Sequence, residues 1–273
     1  MNPISISEKM MFNTVRLETN NGTGTGFFYS FHVGKYEYLT IITNKHVVNN
    51  NPKEIVKFSL HLADDDGGST KNISIQMESN WHFHPSKDLC FAFVQPIFKQ
   101  VEEMTGKKVF YRANGAEILA TEEQLQNLSA LEELVMVGYP IGMYDRKNNF
   151  PIFRKGYTAA HPAIDFNEEG IGLVDMACFP GSSGSPIYIL NEGSFFDKQG
   201  TVHLAKTRLL LLGILFAGPQ YDAQGDIQIR AIPTSTKVVG ISNTRIMANL
   251  GYYVKAHELN EFQKMIEQIV SAH

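Results

Sequence analysis

The sequence predicts an all-β protein in two halves, followed by a C-terminal α-helix. Three observations predict it. Short runs of β-branched and aromatic residues, separated by Asn, Gly and Asp turns, recur from Phe12 to Ile97 and again from about Leu134 to Val239. Between them, Thr121-Glu122-Glu123-Gln124 has the form of a capping box ahead of Leu125 and Leu128, which marks a short connecting helix. In the tail, Leu259, Phe262, Ile266 and Ile269 recur at helical spacing, as expected of an amphipathic helix packed on its own core. The bounds that follow are 1–125 for the first half, 126–240 for the second, and 241–273 for a helical tail.

Composition narrows the class. With 273 residues and 43% hydrophobic content, the chain can bury the core of one large domain or two small ones. A net charge of −4 offers no basic footprint, so no nucleic-acid partner is expected. The strongest apolar stretch, Leu209 to Ala217, is too short to span a bilayer and suits a buried strand; no membrane partner is expected either. Residues Met1 to Met10 lack the charged start and apolar centre of a signal peptide. Cys90 and Cys178 sit in apolar, strand-like contexts and read as core thiols, which points to a reducing, cytoplasmic compartment.

Taken in order, the first half opens with Gly22-Thr23-Gly24-Thr25-Gly26. A phosphate-cradling glycine loop must open a helix. This one precedes the β-favouring Phe27-Phe28-Tyr29-Ser30-Phe31, so a bend or bulge within a strand is expected instead. Tyr38 to Ile42 is a buried strand ending in Thr43-Asn44-Lys45-His46-Val47-Val48, which places His46 just past a strand end. His84-Pro85-Ser86-Lys87-Asp88 then leads into the strand-like run Leu89 to Val94. His82 and His84 alternate around Phe83, but no further Cys/His cluster completes a metal site, and a surface pair is expected.

The most informative stretch is Phe179-Pro180-Gly181-Ser182-Ser183-Gly184-Ser185-Pro186. A small-residue turn ahead of Ile187-Tyr188-Ile189-Leu190 suits an activated serine. Gly181 lets its own N–H and that of Ser183 converge as an oxyanion hole. Gly184 leaves room beside the nucleophile, and Pro186 starts a strand. In such a site His46 takes the Ser183 proton and returns it to the leaving group, while Asp88 holds the imidazole tautomer. The chain order His46, Asp88, Ser183 is that of chymotrypsin-like peptidases and the reverse of α/β-hydrolases. Pro186 would also disturb the helix that must follow a hydrolase nucleophile, which disfavours a serine esterase. Acyl transfer of this kind needs no cofactor.

On these motifs the chain resembles the trypsin-like serine peptidases, and within them the HtrA/Deg proteases. Thr43 to Val48 matches the histidine motif, with Lys45 the unusual residue, and Asp88-Leu89 matches the aspartate motif. Val137-Gly138-Tyr139-Pro140-Ile141-Gly142 resembles the Gly-x-Pro-x-Gly strand-loop, Gly22 to Phe28 the opening strand, and Ala231-Ile232-Pro233 the last barrel strand. The similarity runs from Phe12 to Val238 as scattered motifs in the family's order. It implies two six-stranded antiparallel barrels of chymotrypsin type, with the C-terminal helix appended.

The same resemblance implies a serine endopeptidase acting on protein or peptide substrates through His46, Asp88 and Ser183. A catalytically silent binding module on the same fold is the alternative, since fold does not guarantee activity. By motif alignment Ala177 lies at the base of the primary specificity pocket, and Phe216, Ala217 and Gly218 supply a wall and a backbone edge. An alanine there implies cleavage after small or medium apolar residues. Arg230 selects acidic residues if it points inward and is an ordinary strand arginine if it points outward. Ser182 stands where zymogens carry an aspartate, so no N-terminal ion pair forms and maturation by cleavage is not expected. Control would then come from loop ordering or a regulatory protein partner. The 40 residues after Pro233 are too few for the PDZ module that HtrA proteins append.

Overall fold

The computed structural model describes residues 1–228 and 239–271. In the first half, helix α1 (Ile6–Met10), reciprocally capped by Ser5 and Glu8, leads into β1 (Thr14–Thr19), β2 (Gly22–Val33) and β3 (Tyr36–Thr43). Then come β4 (Val56–Leu62), β5 (Lys71–Met77), β6 (His82–Phe83), β7 (Cys90–Phe93), helix α2 (Gln95–Thr105) and β8 (Val109–Phe110). Helix α3 (Glu122–Gln126) connects the halves and carries the expected capping box of Thr121 and Gln124. Beyond it lie β9 (Glu133–Gly138), β10 (Ile152–Thr158), β11 (Ile171–Asp175), β12 (Pro186–Asn191), β13 (Ser194–Phe196) and β14 (Val202–Leu204). The chain ends with β15 (Arg208–Ala217), β16 (Gln220–Gln228), β17 (Val239–Met247), β18 (Leu250–Lys255) and helix α4 (Leu259–Ser271).

The second half closes into a six-stranded barrel in the order β10-β11-β18-β15-β12-β9. The first half is an eight-stranded sheet in the order β5-β4-β1-β2-β3-β7-β6, with β8 paired to β4. Its end strands β5 and β6 follow one another in the chain, and Met77 and Trp81 between and beside them share one core with Leu17, Phe28, Ile41 and Cys90. The sheet therefore curls around that core as a barrel does, but its β5–β6 seam carries no strand pairing.

Several elements depart from expectation. The glycine run makes no bulge against its neighbour: β1 and β2 pair without interruption from Thr14↔Phe27 to Thr19↔Gly22. The glycines serve close approach instead. A Cβ on Gly24 would overlap Val47, and one on Gly26 would lie 2.9 Å from Ile41 Cδ1. The 241–273 segment is not all helical tail, because β18 completes the second barrel before α4 begins. Gly251 makes this possible, since its missing side chain leaves room for Cys178 Sγ. His82 and His84 are not a surface pair: His82 stacks on Phe91 at 4.8 Å and His84 is buried against Phe262. The motif Ala231-Ile232-Pro233 lies outside the described residues.

Helix α4 binds the halves together. Leu259, Phe262 and Ile266 are buried in one apolar cluster with Phe27 and Phe91 from the first half and Tyr188 and Val254 from the second. Cys90 and Cys178 are free, buried thiols.

His61 is the buried titratable group with a clear consequence for stability. It packs edge-on to Phe12 and stacks on Phe150, and its Nε2 is 3.1 Å from Asn149 O. Burial pushes its pKa down to about 4, opposed by the Asn149 bond. In the unfolded chain the imidazole protonates at about 6.5, so between these values the unfolded state holds a proton the native state lacks. Stability from this site is therefore complete above about pH 6.5 and falls by roughly 3 kcal/mol as the pH drops towards 4. Urea denaturation from pH 7 to 4 should show this slope, and it should flatten in His61→Gln.

Candidate active site

His46 opens a short 3₁₀ turn (His46–Val48) directly after β3. Its Nδ1 lies 2.6 Å from Asp88 Oδ2, and its backbone N–H donates to Asp88 Oδ1 at 3.2 Å. One carboxylate thus holds both the ring and the main chain of the histidine. With Nδ1–H donated to Asp88, the lone pair is on Nε2, the tautomer a general base needs. Asn44 steadies the partner by donating from Nδ2 to the Asp88 backbone carbonyl at 2.7 Å.

Ser183 comes from the other half, on the loop between β11 and β12. The neighbouring Gly184 N–H donates to Leu215 O at 2.8 Å, and Leu215 N–H donates to Ser185 O at 3.0 Å, so the loop lies along the end of β15. Ser183 Oγ donates to Phe216 O at 3.5 Å, and no hydrogen bond joins it to the His46 ring.

The backbone around the serine leaves two N–H groups unengaged. Phe179 to Ser182 form a β-turn closed by Ser182 N–H to Phe179 O at 2.9 Å, with Pro180 second and Gly181 third at φ +88°. That is the residue pattern of a type II turn. The Pro180 carbonyl is engaged by Ile141 N–H at 2.5 Å, which turns the other end of that peptide, the Gly181 N–H, the opposite way. Gly181 N–H and Ser183 N–H have no partner among the described residues, whereas Ser182, Gly184 and Ser185 N–H groups are all taken. Gly181 is also sterically required: a Cβ there would lie 2.5 Å from Tyr139 O.

Ala177 is half-buried two residues beyond β11, and Phe216 and Ala217 end β15 with Gly218 next. Gly218 faces Cys178, its ideal Cβ position 3.4 Å from Cys178 Cβ. Phe216 turns its ring beside Tyr252, at 6.3 Å, so its carbonyl is the group it offers to Ser183. Burial pushes the Cys178 thiol up to about 12 and Cys90 well above its ordinary range, so neither thiol competes as a nucleophile. Arg230 lies outside the described residues. No group of three or more His, Cys, Asp or Glu that could hold a metal occurs among the described residues.

Thr25 is the site residue that sequence reasoning missed. Its N–H donates to Ser183 O at 2.8 Å and its Oγ1 donates to Gly181 O at 3.0 Å. The same Oγ1 accepts from Tyr139 N–H at 3.1 Å and from Ser185 Oγ at 3.2 Å. Its carbonyl accepts from Thr43 Oγ1 at 2.7 Å, and a Cβ on Gly184, at φ +86°, would overlap it. Flanking glycines were the available signal, because they mark a strand approached closely on both faces.

The fold is that of a trypsin-like peptidase, with a histidine–aspartate pair on one β half and a serine loop on the other. The chain belongs to the trypsin-like peptidase domain family, which it matches over residues 24–196. Among solved structures it is similar to an inactive serine-to-alanine mutant form of Rv3671c from M. tuberculosis H37Rv, at 15% identity over 98% of each chain with a TM-score of 0.47. It is similar also to the inactive form of the Rv3671c protease, at 16% identity over 94% of this chain and 89% of that one, TM-score 0.46. A third similar structure is the scabies mite inactivated protease paralogue S-I1, at 12% identity over 95% and 96%, TM-score 0.48. No curated protein matches the chain.

Replacing Thr25 by Val keeps the side-chain shape and removes the hydroxyl. Tyr139 N–H and Gly181 C=O are then left without their buried partner, at a cost on the order of 2–4 kcal/mol. The urea midpoint of Thr25→Val should fall accordingly, with Thr25→Ser close to wild type.

Proposed function

We propose that the protein is a serine endopeptidase, in which His46, Asp88 and Ser183 act as the triad and Gly181 and Ser183 N–H form the oxyanion hole. The carrying observation is the 2.6 Å contact of His46 with Asp88, together with a serine loop whose Gly181 and Ser183 N–H groups lack partners among the described residues. Ser183 Oγ attacks the scissile carbonyl as its proton passes to His46 Nε2. The carbonyl oxygen gains negative charge, which the Gly181 and Ser183 N–H groups stabilise. His46 returns the proton to the leaving amine, and the acyl-enzyme on Ser183 is resolved by water that His46 deprotonates in turn. Two buried thiols support a reducing, cytoplasmic setting, and the sequence motifs support a relation to HtrA/Deg proteases.

A silent binding module is the second reading, favoured by the contact of Ser183 Oγ with Phe216 O in place of His46. Fluorophosphonate labelling of the uncut chain separates the two. Labelling at Ser183, abolished in Ser183→Ala and in His46→Ala, is the expected result. Peptidase turnover should fall about 10⁴-fold or more in either variant, since the members act as a unit. Labelling before any cleavage would also fit Ser182, which is fully buried and reached by no ammonium group among the described residues. Absence of labelling under all conditions would favour the binder.

Specificity follows from Ala177. A lysine or arginine at the base of this pocket would be buried without a carboxylate at Ala177, at a cost of several kcal/mol. A peptide-library profile should show cleavage after small or medium apolar residues, and the same profile on Arg230→Ala tests the acidic alternative. Dominant cleavage after Lys or Arg would overturn the pocket assignment.

A further inference from the structure

The loop that presents Asp88 has a scaffold of its own. His84 is buried, and its Nδ1 accepts backbone N–H bonds from Ser86 at 3.3 Å and Lys87 at 3.0 Å. A ring nitrogen that accepts two N–H groups carries the lone pair, so the proton of a neutral His84 resides on Nε2. That Nε2 lies 3.3 Å from Glu258 Oε2, near the carboxylate but not in an aligned hydrogen bond. The ring packs edge-on against Phe262 at 5.6 Å.

Glu258 stands at the entrance to α4, where three segments converge. Lys87 Nζ is 3.8 Å from Glu258 Oε1 and also donates to Glu169 O. His257 Nε2 is 3.8 Å from Glu258 Oε1. Lys255 N–H donates to Gly170 O at 2.8 Å, and Gly170, at φ +68°, has no Cβ to overlap Glu258. Lys45 and Glu261 act on His84 at longer range. The Asp88 loop of the first half is thus joined to the β10–β11 connection of the second half and to the C-terminal helix.

We propose that His84 and Glu258 are positioning residues for Asp88. The Glu258 carboxylate lies beside the His84 Nε2–H and favours that tautomer electrostatically, His84 folds the turn from 84 to 88, and the turn sets the Asp88 carboxylate against the His46 ring. The proposal rests on the reading of His46, Asp88 and Ser183 as a triad. It makes α4 part of the apparatus that keeps the triad assembled, beyond its share of the core.

Two paired substitutions test it. His84→Phe keeps an aromatic ring on Phe262 and removes the acceptor, whereas His84→Asn supplies a side-chain oxygen that can accept from N–H groups two and three residues on. Glu258→Leu removes the carboxylate, and Glu258→Gln retains an acceptor. The first readout is the downfield proton NMR signal of the His46 Nδ1–H shared with Asp88, which needs no turnover. The signal should move upfield or vanish in His84→Phe and Glu258→Leu, and return in part in His84→Asn and Glu258→Gln. The second is peptide hydrolysis, where kcat should fall tenfold or more in His84→Phe with KM within about twofold. An unchanged signal in folded His84→Phe overturns the proposal. Should that variant fail to fold, an unchanged signal in Glu258→Leu does so. A wild-type protein that shows the signal and its loss in the variants, yet is never labelled at Ser183, would overturn the peptidase reading and leave the positioning role standing.

Discussion

The arrangement depends on Thr25, a first-half residue whose polar atoms are spent almost entirely on the second half. Its amide holds Ser183, and its hydroxyl is shared among Gly181, Tyr139 and Ser185. A hydroxyl has one proton and two lone pairs, and all three are used here. The site is buried, so each of these bonds is costly to lose. The Phe179–Ser182 turn, Ser183 and the Val137–Gly142 strand-loop are thereby referenced to one strand of the opposite half, the same strand that β3 pairs with before delivering His46. The two parts of the proposed triad share a common datum, β2.

Glycine is what lets these surfaces meet. Gly138 has Ser185 Oγ where its Cβ would stand, Gly184 has Thr25 O, and Gly181 has Tyr139 O. Around this polar seam lies an apolar one, in which Phe27, Phe91, Tyr188 and Phe262 bring both halves and α4 into a single cluster. Polar bonds set the register of the halves, and hydrophobic burial supplies the free energy that holds them together.

The sequence was legible where local chemistry is strong. β15 and β12 appear as apolar and β-branched runs, α3 as a capping box, and His46, Asp88 and the serine loop as residues in characteristic local contexts. Helix α2 escaped because its register signal is short: Ile97, Phe98 and Val101 follow directly on a strand, with Pro96 at its first turn. β18 escaped because Gly251 and the paired tyrosines look like a turn until Cys178 is seen filling the missing side chain's place. Thr25 could not be read as a hub, since its partners lie 114 to 160 residues away. Glu258 and His84 were hidden for the same reason, being joined only when α4 returns to the first half.

Exposure explains why so many groups attend one carboxylate. The His46 side chain is 42% accessible and that of Asp88 28%, so water screens their attraction and the pair alone would contribute little. On the proposed peptidase function, burying them further would close the site to substrate. Geometry substitutes for burial. Asp88 is fixed through its own backbone by Asn44, and its two oxygens divide between the His46 ring and the His46 amide, so rotation of the Asp88 side chain breaks two contacts at once. The conformational entropy of an exposed pair is paid in advance by the fold, and the electrostatics need only be modest because the geometry is already set.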